Sequence, residues 1–278
     1  MVNISRPKKD NSDLLHDWFW VNKTHFSKKG SILFLGDSRI YRGITTAPIK
    51  KIFPDQEIIN LGYSSGGLNS KVFEFALNHF DLSKQTKIIV LGISPFALTS
   101  ETRKNEHLNQ ELNRPLAEII ERKYANPFLT EFETIKLTDY KTQKNITSYY
   151  QTFHNDGWVE SYKVPFNNEE ALSSYQTILH ETELNELSIK EIFDFTEKMK
   201  AIGVKVYGFR PPSTKKMELL ENELLKFDEN KFIASFENKG GLWIKIPNRY
   251  SFNSYDGSHL HYKSAIQLSE YLATKLNQ

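Results

Sequence analysis

The sequence predicts an α/β fold: a three-layer α/β/α sandwich around a mainly parallel five-stranded sheet. Two observations lead there. Short apolar runs of strand length, each closed by a glycine, occur at Ile32–Leu35, Glu57–Leu61 and Lys87–Leu91. Stretches of helical period lie between and after them, and strands that alternate with helices pair in parallel through crossovers. With 39% apolar residues in 278, the chain can bury a sizeable core.

Taken in order, residues 1–12 are polar and read as loose. Leu14, Leu15, Trp18 and Phe19 recur at helical spacing, so 13–21 reads as a short helix. The first strand follows and breaks at Gly36. Arg42 to Phe53 reads as a crossover, with Pro48 near a helix start and Pro54 past its end. After the second strand and Gly62, Asn69 or Ser70 can cap a helix whose inward face is Val72, Phe73, Ala76, Leu77 and Phe80. The third strand ends at Gly92. From about 99 to 180 the alternation fails, although 114–123 and 170–182 are helical in pattern. An insertion of this length is either a lid or substrate-recognition element, or a cover for one sheet edge. Alternation resumes with a helix through Ile189, Ile192, Phe193, Thr196 and Met199, closed by Gly203. A fourth strand, Val204–Phe209, a helix through Met217, Leu220, Leu224 and Phe227, a fifth strand, Leu242–Ile246, and a last helix from near Lys263 to Leu276 complete a single domain, 1–278.

Two short stretches carry chemistry. Gly36-Asp37-Ser38-Arg39 follows the first strand, at the carboxyl edge where open parallel sheets bind ligands. Asp256-Gly257-Ser258-His259 precedes the last helix. A serine hydroxyl is a weak nucleophile until a base takes its proton, and a carboxylate on the far ring nitrogen fixes the base's tautomer. Ser38, His259 and Asp256 supply nucleophile, base and orienter.

These blocks resemble the SGNH (GDSL-type) hydrolase family, whose first block is a strand followed by Gly-Asp-Ser and whose last is Asp-x-x-His. The resemblance implies a flavodoxin-like sheet and an oxyanion hole built from the nucleophile's own N–H, a glycine after the second strand and an asparagine after the third. Such a donor is worth about 3–4 kcal/mol of barrier. Asn60-Leu61-Gly62-Tyr63-Ser64-Ser65-Gly66-Gly67 offers Gly66, or Ser65 or Gly67 if the register slips by one. The third block departs: Gly92-Ile93-Ser94-Pro95 puts Ser94 where asparagine stands in the family. The oxyanion set expected here is therefore Ser38, Gly66 and Ser94. The pattern is similar to a bacterial branch associated with polysaccharide O-acylation and deacylation. That implies an esterase or O-acetyltransferase acting on an acylated sugar or polysaccharide, with an acyl donor in the second case and no cofactor. The Ser94 substitution motivates a different reading, a non-catalytic carbohydrate-binding protein on the same scaffold; a lipase- or thioesterase-like hydrolase is a further alternative.

Other features are weighed against these. Gly62-Tyr63-Ser64-Ser65-Gly66 fits a nucleophile elbow, but only one clear strand precedes Ser64, whereas the elbow of α/β-hydrolases follows several. Arg39, Arg42 and Arg210 lie near strand ends and suit a carboxylate or phosphate on a substrate, or structural ion pairs. Tyr149, Tyr150 and Trp158 suit stacking on sugar rings, or a local core. His259 and His261 have metal-ligand spacing without a third ligand, so no metal is expected. A net charge of +2 gives no nucleic-acid footprint, and the absence of cysteine excludes disulfides and thiolate metal sites. No apolar run approaches membrane-span length and no signal-peptide core follows the basic N-terminus, so a cytoplasmic protein is expected, or one of the cell envelope if an anchor was trimmed.

Overall fold

The computed structural model describes residues 12–125 and 148–278. The polar N-terminal stretch expected to be loose, and 126–147 of the expected insertion, lie outside those residues. Five strands form one parallel sheet: β1 (Ile32–Leu35), β2 (Ile58–Asn60), β3 (Ile88–Gly92), β6 (Lys205–Phe209) and β7 (Leu242–Trp243). Their order is β2-β1-β3-β6-β7, the doubly wound flavodoxin-like order, so the chain reverses direction across the sheet between β1 and β3. Ile32–Leu35 and Ile88–Gly92 are buried at every position, as strands covered on both faces must be. Leu33, Leu35, Ile89 and Leu91 meet the helices Ser70–Asn78, Glu186–Ala201 and Glu229–Asn238 on one face. Ile32, Phe34, Ile88 and Val90 meet Ile40, Ile49 and the helix Tyr262–Leu276 on the other. The three-layer α/β/α expectation holds.

Three elements differ from the sequence reading. Regular strand ends at Trp243, although Ile244 N–H still donates to Gly208 O at 2.8 Å, so the fifth strand is a short edge. The helix Glu229–Asn238 stands where no element was expected; it buries only Phe232 and Phe236, a two-residue apolar signal. The 99–180 stretch contains an antiparallel hairpin, β4 (Ser148–Phe153) and β5 (Val159–Val164), besides short helices. The hairpin packs Phe153 and Val159 against Phe19 and Tyr41. Its tip is tied to β2, where Asn60 N–H donates to Asp156 O at 2.9 Å, and to the helical segment Asn22–Phe26, where Lys23 Nζ donates to Gly157 O at 3.0 Å. Farther along, the helix Leu172–His180 places Tyr175 and Leu179 against Met217 and Leu225.

Candidate active site

The first site element is a tight strand-to-helix turn. Gly36 has φ +150°, and a Cβ there would stand 2.5 Å from Ile40 Cγ1 and 2.9 Å from Gly92 O. A Cβ on Gly92 would stand 2.0 Å from Ile40 Cδ1. The two glycines thus leave the slot that Ile40 fills, and this seats the helix Ser38–Gly43 directly on the ends of β1 and β3. Asp37 caps that helix, accepting from Arg39 N–H at 2.9 Å. At its other end, Asn60 Nδ2 donates to Ile40 O and Ile44 O, each at 2.8 Å. Ser38 is therefore the first residue of a helix fixed at both ends.

The second element is the loop before the last helix. Asp256 Oδ1 accepts from Ser258 N–H at 2.9 Å and His259 N–H at 2.8 Å. Its other oxygen, Oδ2, lies 2.7 Å from His259 Nδ1. An ionised carboxylate only accepts, so Nδ1 carries the proton and Nε2 presents its lone pair. Ser38 Oγ lies 2.7 Å from that Nε2, and the Ser38 hydroxyl donates to it. Ser38, His259 and Asp256 are brought together from opposite ends of the chain.

Electrostatics favour this protonation state. Burial pushes the Asp256 carboxyl up, but the His259 ring and the two loop N–H groups outweigh it and hold it at about 2. Burial pushes the His259 ring below its usual value; Asp256 opposes that, and the cations Arg42 and Arg39 add to it. The ring is thus neutral near pH 7 and able to take a proton.

The expected oxyanion donors need correction. Ser94 is fully buried and its hydroxyl donates to Asp37 Oδ2 at 2.9 Å, while Ser94 Oγ accepts from Ala97 N–H at 3.1 Å. With its one proton given to Asp37, Ser94 has none for an oxyanion. Gly66 N–H closes a turn onto Tyr63 O at 3.2 Å, and Gly67 N–H is held by Thr102 O and Asn105 Oδ1. Ser65, the remaining register, is at φ +49°, and its N–H makes no hydrogen bond among the described residues. It lines a cleft of about 320 Å³ with Phe96, Thr102, Asn105, Ile178 and Glu181.

Arg39 and Arg210 also need correction as substrate-binding residues. Both are only 3% exposed. Arg39 Nη2 stands 2.8 Å from Glu221 Oε1, and Arg39 Nε donates to Ser258 Oγ at 3.1 Å. Arg210 pairs with Glu221 at 3.1 Å and with Glu229 at 2.9 Å. Their charges are spent on buried carboxylates, and Arg39 links the residue after Ser38 to the Asp256–His259 loop. Ser258 Oγ in turn donates to the Tyr175 hydroxyl at 2.9 Å. No short motif marks Glu221, Ser258 or Tyr175 as parts of one network; they are far apart in the chain.

The remaining candidates fall out as follows. Ser64 meets the Tyr41 hydroxyl, and no histidine bonds to it among the described residues. His261 caps the last helix, accepting from Lys263 N–H at 3.2 Å. Among the described residues no group of three or more His, Cys, Asp or Glu is placed to hold a metal ion, and no helix is long and apolar enough to cross a membrane. Trp158 is buried, stacked on His154 and bonded through Nε1 to Arg42 O at 3.0 Å. Tyr150 stacks on Tyr162, and Tyr149 covers Arg42.

No protein-family model matches this sequence, and no curated protein matches it. Among solved structures, it is similar to a catalytic mutant of an acetylxylan esterase from Geobacillus stearothermophilus, with a TM-score of 0.43 at 8% identity over 90% of this chain and 95% of that one. A carbohydrate acetylesterase from Sinorhizobium meliloti superposes with a TM-score of 0.40 at 12% identity, over 90% and 98% of the two chains. The inhibitor-bound form of an aryl esterase from M. smegmatis gives 0.40 at 11% identity, over 90% and 98%.

Proposed function

We propose that this chain is a serine esterase of the SGNH type, acting on acyl esters of sugars. The observation that carries the reading is the continuous relay from Ser38 Oγ through His259 to Asp256, with both links at 2.7 Å. In this reading His259 Nε2 takes the Ser38 proton as Oγ bonds to the ester carbonyl carbon. The tetrahedral intermediate then collapses, its C–O bond to the alcohol breaks, and His259 gives that alcohol the proton. Water, deprotonated by the same nitrogen, attacks the acyl-serine; the bond from the acyl carbon to Ser38 Oγ breaks, His259 returns the proton to Oγ, and the acid leaves. Asp256 keeps Nδ1 protonated and stabilises the imidazolium formed at each step. In this reading the N–H groups of Ser38 and Ser65, neither of them hydrogen-bonded among the described residues, supply the oxyanion donors, so two backbone donors serve where the family has a third from asparagine.

Transfer of the acyl group to a sugar hydroxyl in place of water uses the same steps. The test is turnover of 4-nitrophenyl acetate, with and without an added sugar acceptor. Wild type should release nitrophenol and Ser38→Ala should lose about 10⁴-fold or more in kcat. Equal rates for the two proteins would remove Ser38 from the mechanism. An acetylated sugar as the main product would make the enzyme a transferase.

A further inference from the structure

Arg42 lies one helical turn beyond Ser38, on the same face of the helix Ser38–Gly43. Arg42 Nε donates to the Tyr41 hydroxyl at 3.0 Å and Nη1 to the Tyr255 hydroxyl at 2.6 Å. The Tyr41 and Tyr149 rings lie 5.1 and 5.6 Å from the guanidinium carbon. Tyr255 in turn stacks on the His259 ring, 5.9 Å between centroids and 16° from parallel. The cation is thus tied, through Tyr255, to the ring that handles the proton.

The cluster holds no anion among the described residues. Among the described residues no carboxylate comes within 4 Å of Arg42, whereas Arg39, Arg103, Arg114, Arg210 and Arg249 each pair with one. The phenols around it do not neutralise it: burial raises the Tyr41 and Tyr255 hydroxyls above their usual range, so both stay uncharged. A largely buried guanidinium without a counter-charge is costly, and an anion that reaches it is bound strongly. Nη2 is the edge of the fork with no hydrogen bond among the described residues, and it is not among their enclosed atoms.

We propose that Arg42 is an anion subsite beside Ser38, and that the ester taken here carries a carboxylate, as on an acylated uronic acid. The proposal rests on the esterase reading for its chemistry but not for its binding. The carboxylate accepts from Nη2, while the acyl carbon lies at Ser38 Oγ.

The test compares methyl O-acetyl-glucuronoside with methyl O-acetyl-glucoside as substrates. Wild type should prefer the acid in kcat/KM by about tenfold to a hundredfold, the range of one charge-assisted hydrogen bond. Arg42→Gln should bring the ratio near one, and Arg42→Lys should restore part of it. A wild-type ratio of one or less, or a ratio unchanged in Arg42→Gln, overturns the proposal. Should Arg42→Gln fail to fold, wild type alone decides: methyl glucuronoside should inhibit 4-nitrophenyl acetate turnover competitively, and methyl glucoside much less. Equal inhibition overturns the subsite. Calorimetry on Ser38→Ala separates the two readings. Selective binding of methyl glucuronoside there supports the subsite even if neither ester is turned over, and equal binding of both sugars sinks it.

Discussion

Ser94 Oγ donates a 2.9 Å hydrogen bond to the carboxylate of Asp37, the residue that caps the nucleophile's helix. Asp37 is 1% exposed, and its other oxygen is committed to Arg39 N–H. Ser94→Ala therefore leaves a buried carboxylate oxygen without a partner. The expected cost is about 1–3 kcal/mol of unfolding free energy, read by urea denaturation. Because the bond supports the Ser38 turn and not the oxyanion, kcat should fall far less than in Ser38→Ala. A loss of activity as deep as that of Ser38→Ala, with stability intact, would return Ser94 to the oxyanion hole.

Acid should act on this protein through Asp256 and His259 together. The His259 ring is held below its usual value, so the acidic limb of kcat/KM should lie below pH 6.5. Its neutral form is the one the fold favours, so stability falls as pH drops below the unfolded ring's value near 6.5. Asp256, held at about 2 when folded, adds stability above its unfolded value near 3.8 and loses it as pH falls toward 2. Titration of the His259 ring by NMR should give a midpoint below 6.5. A midpoint above 6.5 would show that Asp256 dominates burial.

The Arg39–Glu221–Arg210 cluster predicts an asymmetric mutational response. Glu221 is fully buried between two arginines. Arg39→Ala should cost about 3–5 kcal/mol, because it strips one partner from a buried charge and removes the Ser258 contact. Thermal melts and kcat on aryl acetate should fall together. Activity that falls while the melting temperature holds would mean that Arg39 meets substrate after all.

Ser65 holds a left-handed backbone that costs a non-glycine residue about 1 kcal/mol. Ser65→Gly should relieve that cost while keeping the N–H, so stability should be equal or higher and kcat on aryl acetate should change by no more than a few-fold. A large loss of kcat would assign a role to the Ser65 hydroxyl instead of its backbone.

What the sequence made legible was whatever depends on neighbours in the chain. The inner strands show as apolar runs because both of their faces are covered. Gly36-Asp37-Ser38 and Asp256–His259 show as local motifs, because a turn, a cap and an imidazole held three residues from its carboxylate are short-range arrangements. The rest depends on distant partners. Whether Arg39 and Arg210 face a ligand or the interior is decided by Glu221, which no pattern near either arginine reveals. Ser94 reads as a stand-in for asparagine, yet a hydroxyl has one proton, and Asp37 receives it. The hairpin is hidden because Tyr149, Tyr150 and Tyr162 make its strands half-exposed and aromatic, without the apolar alternation of a covered strand. The register of the Ser64–Gly67 turn rests on which N–H the backbone leaves unspent, and that is a property of coordinates.

The attachment of the β4–β5 hairpin has a consequence of its own. Ser38, Asp256 and His259 ride on the sheet's carboxyl edge, but Tyr149 reaches Arg42 only from the hairpin, which is fastened at its tip through Asp156 and Gly157. The nucleophile and Arg42 thus share one short helix, while the ring that covers Arg42 is held by a separately built piece of the molecule. A hairpin of altered sequence, anchored by the same tip, would re-dress the Arg42 guanidinium without moving Ser38, Asp256 or His259.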